Sequence, residues 1–421
     1  MSRVKFGCAL GDNASRMTIL FGHPTGSPFS HNAALAHLEA GWLEAFCVPW
    51  MPTTLELAVL GRVPGLGQRV ARLRRRHFAP LDHADKVQGR VGEWVRLCKR
   101  LIGGRWADES LSYEANDWLM NVMRDQCRRP AVTAVHSYED CSLLQFREAA
   151  KVGKSRIYDL PIGYYPAWQS TIRALARSYP DWIAEGDAGE SRYVRPEQKR
   201  EEMELAQLVL APGSFVRRTV EDFADREVAI APFGVDADFW CPGTGREQIG
   251  PMRFLYAGAC SLRKGIPLLM EAWRAASLTN AVLELVGSWR LTRNNRLPEG
   301  VTLREAVSPE ELRNCYRAAE ILVFPSYFEG FGLVILEAMA CGLPVITTDA
   351  TAGPDLLDEN TGRVLPAGNL DALVESLRWA HGQRDEVRRM RIAAREKAES
   401  MTWLHYRECV RNCVAPLVGG P

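Results

Sequence analysis

The sequence predicts an α/β protein made of two doubly wound domains. Its 421 residues are more than one compact core usually holds and suit two domains of about 200 residues each. Short apolar runs at residues 17–21 and 321–324 have the length and composition of buried strands, and each precedes a loop and a helix. Apolar residues make up 47% of the chain and charged residues 24%, which is typical of a globular protein. Repeated strand, loop and helix units of this kind build open parallel sheets.

The first half of the chain opens with one such unit. Residues 17–21 are predicted as a strand, the exit loop begins at Gly22, and residues 32–43 are predicted as a helix. A later apolar run ends at His136, which places that histidine at the carboxyl end of another strand. Residues 153–190 show no clear period and are rich in aromatic residues, so we predict loops that cover a cleft.

The most informative stretch lies in the second half. Glu329 and Glu337 stand eight positions apart, around a glycine-rich turn that opens a short apolar helix. In an open parallel sheet, ligands bind at loops that leave the carboxyl ends of strands, and the N–H groups of the next helix face an anion. Eight helical positions span roughly 12 Å, so the two carboxylates cannot share one reacting atom. They are predicted to hold opposite ends of one long ligand.

Positive charge for such a ligand must come from another loop. Arg263 and Lys264 follow the strand-like residues 253–257 and supply two adjacent cations. A guanidinium can bind a phosphate with two parallel hydrogen bonds, and an ammonium acts as a point charge. A sugar at one end, a nucleoside at the other and a diphosphate between them fit this layout.

These segments together resemble the GT-B fold glycosyltransferases of the family 4 (group 1) type. The resemblance is dense over residues 205–370 and thinner upstream. It implies two Rossmann-like domains that face a central cleft: residues 1–235 bind the acceptor, residues 236–399 bind the nucleotide-sugar donor, and residues 400–421 form a helix that returns to the first domain. The residues that carry it are Glu329 and Glu337 with residues 330–332, Tyr256 to Gly258, Arg263 to Gly265, Pro232 to Asp236, and residues 211–217 and 344–349.

The resemblance also implies an activity and site residues. A retaining enzyme of this type moves a sugar from a UDP- or GDP-type donor to a glycan, lipid-linked or small-molecule acceptor. Glu337 would accept hydrogen bonds from the ribose, Glu329 and His136 would lie near the transferred sugar, and Arg263 and Lys264 would bind the diphosphate. Many relatives carry an arginine where this chain has Ala259. The remaining implied donor contacts are Phe331, Gly332, Leu333 and Gly22.

Other functions remain open at this point: a nucleotide-sugar epimerase or phosphorylase on the same architecture, and a non-catalytic sugar-nucleotide sensor or membrane-bound scaffold. A dehydrogenase is disfavoured, because no Gly-x-Gly-x-x-Gly follows the first strand. The nucleotide-sugar would be a co-substrate, and no cofactor or metal is expected. The eleven cysteines show no paired metal spacing, and we interpret Asp236 and Asp238 as part of a turn.

Charge is concentrated in one region, although the net charge is only +1. Residues 62–105 contain twelve lysines and arginines against three acids, a balance of 12 − 3 = +9, with aromatic residues among them. Such a basic amphipathic stretch can bind an anionic membrane surface. A solvated helix face and an anionic acceptor are the alternatives, and no nucleic acid partner is expected. Without a membrane-spanning run or signal peptide, we expect a cytoplasmic protein, peripheral on the inner face of the membrane.

Overall fold

The strands of the chain form two separate parallel sheets. The structure, a computed structural model, describes residues 18–62, 73–74, 76–102, 105–183, 195–243, 250–292 and 296–417. The first sheet contains β1 Ile19–Gly22, β2 Leu43–Val48, β3 Lys86–Gln88, β4 Ala134–Tyr138, β5 Ser155–Asp159, β6 Leu208–Ala211 and β7 Val228–Ile230. The second contains β8 Met252–Ala257, β9 Ala281–Val286, β10 Val301–Arg304, β11 Ile321–Phe324, β12 Val345–Thr348 and β13 Gly362–Leu365.

Helices connect most of these strands and cover both sheets, as expected of parallel sheets that are buried on their two faces. In the first half they are α1 Pro28–Glu39, α2 Thr54–Gly61, α3 Arg90–Ile102, α4 Arg105–Cys127, α5 Leu143–Lys151, α6 Tyr165–Ser178, α7 Pro196–Leu205 and α8 Ser214–Glu221. In the second half they are α9 Ile266–Ala276, α10 Pro309–Ala318, α11 Leu333–Ala340, α12 Gly353–Leu356, α13 Leu370–Gly382, α14 Arg384–Ser400 and α15 Trp403–Val414. Among these described helices, none combines the length and apolar character needed to cross a bilayer.

Both sheets follow the same doubly wound plan. The strand order is β3-β2-β1-β4-β5-β6-β7 in the first sheet and β10-β9-β8-β11-β12-β13 in the second. The direction of strand addition reverses between β1 and β4 and again between β8 and β11. Loops at such a reversal diverge to opposite faces of the sheet and leave a crevice at the carboxyl ends of the strands. The predicted α/β fold class is therefore confirmed, and each sheet has one crevice of this kind.

The prediction of an irregular region is wrong over most of its length. Residues 153–190 were expected to form loops, but β5 and the fourteen-residue helix α6 lie within them. Pro166 occupies the first turn of α6, where its missing N–H costs nothing, and buried Ile172 and Leu175 give the helix its inward face. The aromatic residues around Pro166 obscured this period. The part of the prediction beyond residue 183 lies outside the described residues.

The chain passes between the two sheets twice, and the two passages lie side by side. Val235 donates its backbone N–H to the carbonyl of Met401 at 2.9 Å, and it forms a parallel bridge with Thr402. Beyond this bridge, α15 packs against α1, where Arg407 and Arg411 both contact Glu39, the latter at 2.6 Å. The last described helix thus lies on the first half of the chain. The domain boundaries at residues 235 and 399 stay predictions.

One buried carboxylate organises the first half of the chain. Glu202 on α7 is fully buried and accepts hydrogen bonds from the backbone N–H groups of Asp140, Ser142 and Leu143 at 2.8 to 3.1 Å. The Tyr158 hydroxyl donates to it at 3.2 Å. Since the first N–H groups of a helix have no partner within the helix, Glu202 satisfies the start of α5 from outside.

Replacing this carboxylate should destabilise the protein strongly. Glu202→Ala leaves three buried N–H groups without an acceptor, so we expect the free energy of unfolding to fall by about 2–4 kcal/mol. Urea unfolding followed by tryptophan fluorescence measures the loss. The neighbouring Glu201, whose ion pair with Arg147 is largely exposed, is the matched control, and Glu201→Ala should cost at most about 1 kcal/mol. Equal losses in the two variants would contradict this role of Glu202.

Candidate functional site

The candidate site lies at the crevice of the second sheet. β8 and β11 are neighbours there, with Leu322 in register with Leu255. Arg263 and Lys264 lie on the loop that leaves β8, and Glu329 lies on the loop that leaves β11. Gly265 brings these loops together, because a Cβ at this position would overlap the carbonyl oxygen of Pro325. The topology therefore places the predicted cations and one predicted carboxylate at the same edge of one sheet.

The two loops are joined by an ion-pair cluster. The Lys264 ammonium contacts Oε2 of Glu329, and Nη1 of Arg263 lies 3.3 Å from the same oxygen. Arg263 also donates to the carbonyl of Phe328 at 2.5 Å, and the carbonyl of Arg263 accepts from the N–H of Tyr327 at 2.9 Å. The side chains of Lys264 and Glu329 are only 12% and 13% exposed. Two cations thus share one partly buried carboxylate oxygen.

The surroundings of Lys264 make its charge responsive to a ligand. Its Nζ lies 4.6 Å from the centre of the Phe324 ring, a cation–π contact that favours the ammonium form. Burial, and then the neighbouring charge of Arg263, lower the pKa of Lys264. The Glu329 carboxylate opposes this effect while it remains in contact. An anion that binds at this crevice would therefore favour the charged ammonium in the same way.

The turn after Glu329 is pressed against the first half of the chain. A Cβ on Gly330 would overlap the carbonyl oxygen of Pro161, so only glycine fits between the two halves at this point. The Phe331 ring is 2% exposed and lies 5.5 Å from the ring of Phe233. Gly332 caps α11 with a left-handed backbone, φ 84° and ψ 66°, and Leu333 begins the helix. The first N–H groups of α11 therefore open at the crevice, where an anion can accept hydrogen bonds.

Glu337 lies one turn into α11 and is held by a tyrosine. The hydroxyl of Tyr316, a fully buried residue of α10, donates to Oε2 of Glu337 at 3.1 Å. Burial raises the pKa of Glu337 to about 7, and the Tyr316 hydrogen bond only partly offsets this shift. Glu337 does not contact the Lys264 cluster by any described ion pair or hydrogen bond. The two predicted carboxylates thus stand in separate surroundings, as their spacing predicts.

The structure places His136 elsewhere. Its side chain is fully buried inside the first sheet, with Nδ1 2.9 Å from Nε2 of His37 and its ring edge-on to Phe21. Burial lowers the pKa of His136 to about 3, so the imidazole is neutral at physiological pH. The ring has no exposed surface in this structure. The role of His136 near the transferred sugar, through its ring or its backbone carbonyl, stays a prediction.

Gly22 ends β1, at the crevice of the first sheet. A Cβ there would overlap the sulfur of Met123, so the glycine allows α4 to pack closely on the strand. The close packing of α4 thus explains why a glycine occupies position 22. A contact between its backbone and a ligand stays a prediction. The loop that follows is ordered by His23, whose Nδ1 accepts hydrogen bonds from the N–H groups of Thr25 and Gly26 at 3.2 and 2.8 Å.

Sequence reasoning missed two residues of the site. Tyr316, which orients Glu337, stands in a helix of mostly polar residues. The available sequence signal was that Cys315 and Tyr316 are adjacent weakly polar residues in that helix, and both are buried. Phe324, which supports Lys264, was identified only as part of a strand. Within the described ranges, no three His, Cys, Asp or Glu side chains are grouped so as to hold a metal ion. The predicted roles of the other site residues remain predictions.

Comparison with known proteins identifies the region around this site. Residues 251–382 match the family model described as glycosyl transferases group 1. The D-inositol 3-phosphate glycosyltransferase of Corynebacterium jeikeium is 31% identical over 234 residues, which cover 48% of this chain and 55% of that protein. The chain thus matches about half the length of this curated relative.

Solved structures resemble the whole chain. Sucrose-phosphate synthase from Thermosynechococcus elongatus has a TM-score of 0.64 at 17% identity and covers 96% of this chain and 99% of its own. Anabaena HepE, solved in complex with UDP and glucose, has a TM-score of 0.58 at 13% identity and covers 95% and 100%. At these identities the similarity establishes the fold. The chain therefore has the GT-B fold, and its residues 251–382, which include the Lys264 cluster, match the group 1 glycosyltransferases.

Proposed function

We propose that the chain is a retaining glycosyltransferase that moves a sugar from a UDP- or GDP-type donor to a glycan, lipid-linked or small-molecule acceptor. The observation that carries the proposal is the cluster in which Arg263 and Lys264 hold the Glu329 carboxylate at the crevice of the second sheet. This crevice lies within the group 1 region. Two partly buried cations beside the start of a helix are suited to a diphosphate.

A donor diphosphate would take over the contacts that Glu329 now makes. Its oxygens carry the same sign of charge as the carboxylate, so they can replace it as partner of Lys264 and Arg263. The displaced Glu329 carboxylate, which begins the turn at Gly330, would then accept hydrogen bonds from hydroxyls of the transferred sugar. Glu337, held by Tyr316 in separate surroundings, would accept hydrogen bonds from the ribose at the other end of the donor.

The proposed transfer step uses these contacts. The bond between the anomeric carbon and the diphosphate oxygen breaks, an acceptor hydroxyl oxygen forms the new bond on the same face, and its proton passes to the leaving phosphate. Arg263, Lys264 and the N–H groups at the start of α11 stabilise the negative charge that develops on the diphosphate. No step requires a metal or another cofactor. The contact between Gly330 and Pro161 closes this part of the cleft and would limit hydrolysis of the donor by water.

Named relatives support this proposal. The HepE structures contain UDP, UDP with glucose, or UDP-glucose, and a further neighbour with a TM-score of 0.50 was solved with UDP and sugar ligands. The curated relatives include D-inositol 3-phosphate glycosyltransferases, which supports a polar hydroxyl acceptor. Neither the base of the donor nor the acceptor follows from them. Screening UDP- and GDP-sugars for thermal stabilisation identifies the donor, since a bound ligand raises the melting temperature.

Removing the ammonium should slow transfer without unfolding the protein. Lys264→Ala deletes one charge that stabilises the leaving diphosphate, so we expect kcat to fall by about 10² to 10³. Steady-state release of the nucleoside diphosphate measures this change, and the melting temperature reports on the fold. Lys151→Ala, at an exposed lysine of α5, is the matched control and should retain full turnover. Normal turnover in a folded Lys264→Ala variant would contradict the proposal.

Nucleotide binding should depend on the ionisation of Glu337. The pKa of this carboxyl is about 7 in the free protein, and the ionised form is the better acceptor for ribose hydroxyls. The affinity for the free nucleoside diphosphate should therefore fall as the pH decreases below 7, by about tenfold per unit at the limit. Calorimetric titration at pH 6 and pH 8 measures this dependence.

Glu337→Gln separates the carboxyl from the nucleotide's own ionisation. The variant should bind more weakly at pH 8 and should lose the part of the pH dependence that Glu337 contributes. An identical pH dependence in wild type and variant would assign the effect to the phosphates and refute this role. The same titrations bear on the alternative functions: nucleotide binding without any transfer would indicate a sensor, and conversion of the donor without an acceptor would indicate an epimerase.

A further inference from the structure

Helix α3 buries two charged side chains and exposes two apolar ones. In most surface helices the charged residues face water and the apolar residues face the core. In α3 the charged residues Glu93 and Arg96 are each only 3% exposed, whereas Val91 and Val95 are 79% and 51% exposed. Since Val91 and Val95 are four positions apart, they lie on the same side of the helix. Val91 and Val95 therefore face away from the protein.

Ion pairs hold the helix in this orientation. The Glu93 carboxylate lies 2.5 Å from Nη1 of Arg76 and 2.5 Å from Nη2 of Arg96, and its side chain is 1% exposed. A buried carboxylate that lost these partners would be left uncompensated at a high free-energy cost. Rotating α3 to bury its valines would expose Glu93 and break the contact with Arg76. The outward direction of Val91 and Val95 is thus built into the fold.

Helix α2, which an ion pair joins to α3, carries a second pair of exposed apolar side chains. Leu55 and Val59 are four positions apart on α2 and are 74% and 55% exposed. Arg90, at the start of α3, reaches Glu56 of α2 at 3.0 Å and joins the two helices. We call Leu55, Val59, Val91 and Val95 the apolar face. The other large apolar side chains that are exposed in the described part of the chain lie elsewhere, at Val152, Phe223, Leu303, Val364, Ile392 and Leu404.

The charge around the apolar face indicates what covers it. Arg62 ends α2 three positions after Val59 and is exposed, and Arg74 is exposed two positions before the Arg76 that contacts Glu93. In the sequence, residues 62–105 carry a balance of +9, although residues 63–72, 75 and 103–104 lie outside the described structure. Apolar side chains beside basic ones match the acyl boundary and the headgroups of an anionic bilayer.

We propose that the apolar face docks on an anionic lipid surface, with the neighbouring arginines against the lipid phosphates. This surface is more specific than the arginine-rich residues from which the sequence suggested membrane contact. It consists of the exposed apolar side chains of α2 and α3, and the buried Glu93 and Arg96 take no part. A membrane-bound protein of this kind lies on the bilayer and needs no spanning helix.

The position of the apolar face also bears on the acceptor, and this step rests on the proposed function. α2 and α3 follow the carboxyl ends of β2 and β3, and β1 ends at Gly22 on the same edge of the first sheet. A bilayer on the apolar face would therefore lie beside the edge of the sheet at which the cleft opens. This arrangement favours an acceptor carried by a lipid over a soluble one.

Vesicle binding tests the docking surface without relying on activity. The full chain is sedimented with vesicles of phosphatidylcholine containing 30% phosphatidylglycerol, or with phosphatidylcholine alone. We expect binding to the anionic vesicles, weakened in high salt, and much less binding to the neutral ones. Val91→Ser with Val95→Ser should lower the partition coefficient about tenfold, because two apolar side chains no longer enter the acyl boundary. The melting temperature should not change, since both positions are exposed.

A matched double variant distinguishes binding through the apolar face from non-specific binding through other exposed apolar side chains. Ile392→Ser with Leu404→Ser removes two apolar side chains of similar exposure, 70% and 52%, and should bind vesicles as the wild type does. Equal losses in the two double variants, or no binding by the wild type, would overturn the proposal. The proposal would also be overturned if sedimentation velocity detected a dimer without lipid and only the Val91→Ser, Val95→Ser double variant dissociated it. The apolar face would then be a dimer interface. Loss of transfer with normal vesicle binding would affect the proposed function alone.

Discussion

The contact between Lys264 and Glu329 is the interaction on which the candidate site depends. It spans the crevice between β8 and β11, so it exists only because the strand order reverses between these two strands. Arg263 approaches the same carboxylate oxygen, and Gly265 removes the side chain that would keep the loops apart. The Glu329 carboxylate compensates the charge of two partly buried cations. An anionic ligand can then replace the Glu329 carboxylate as the partner of Arg263 and Lys264. The two cations need not lose their partner before the ligand arrives, which would be costly in a partly buried crevice.

Much of this arrangement could be predicted from the sequence. Two loops that leave the ends of parallel strands must meet at one edge if the strands are neighbours, and the spacing of Glu329 and Glu337 excluded a shared reacting atom. The sequence placed His136 at the end of a strand, but β4 continues to Tyr138, so the histidine lies within the strand and its ring is buried. Tyr316 was missed for a different reason: its partner Glu337 lies on another helix, and only packing brings the two together.

The apolar face shows a similar limit. Composition indicated a basic amphipathic region, and a basic amphipathic helix is normally assumed to bury its apolar side. The orientation of α3 depends on the buried contact between Glu93 and Arg76, which are seventeen positions apart. A tertiary ion pair thus helps to decide which side chains of α3 are buried, and the local pattern does not show it.

The paired passages between the two halves have a mechanical consequence. Because Val235 and Met401 are hydrogen-bonded where the chain crosses, both connections lie along one line. Two connections that are far apart would restrict the two halves to small shear movements, whereas two adjacent connections can act as a hinge. A rotation of one half against the other about this line would keep the bridge between Val235 and Thr402 intact. It would have to break the contacts farther from the line, such as the hydrogen bond from Ser214 to Asp355.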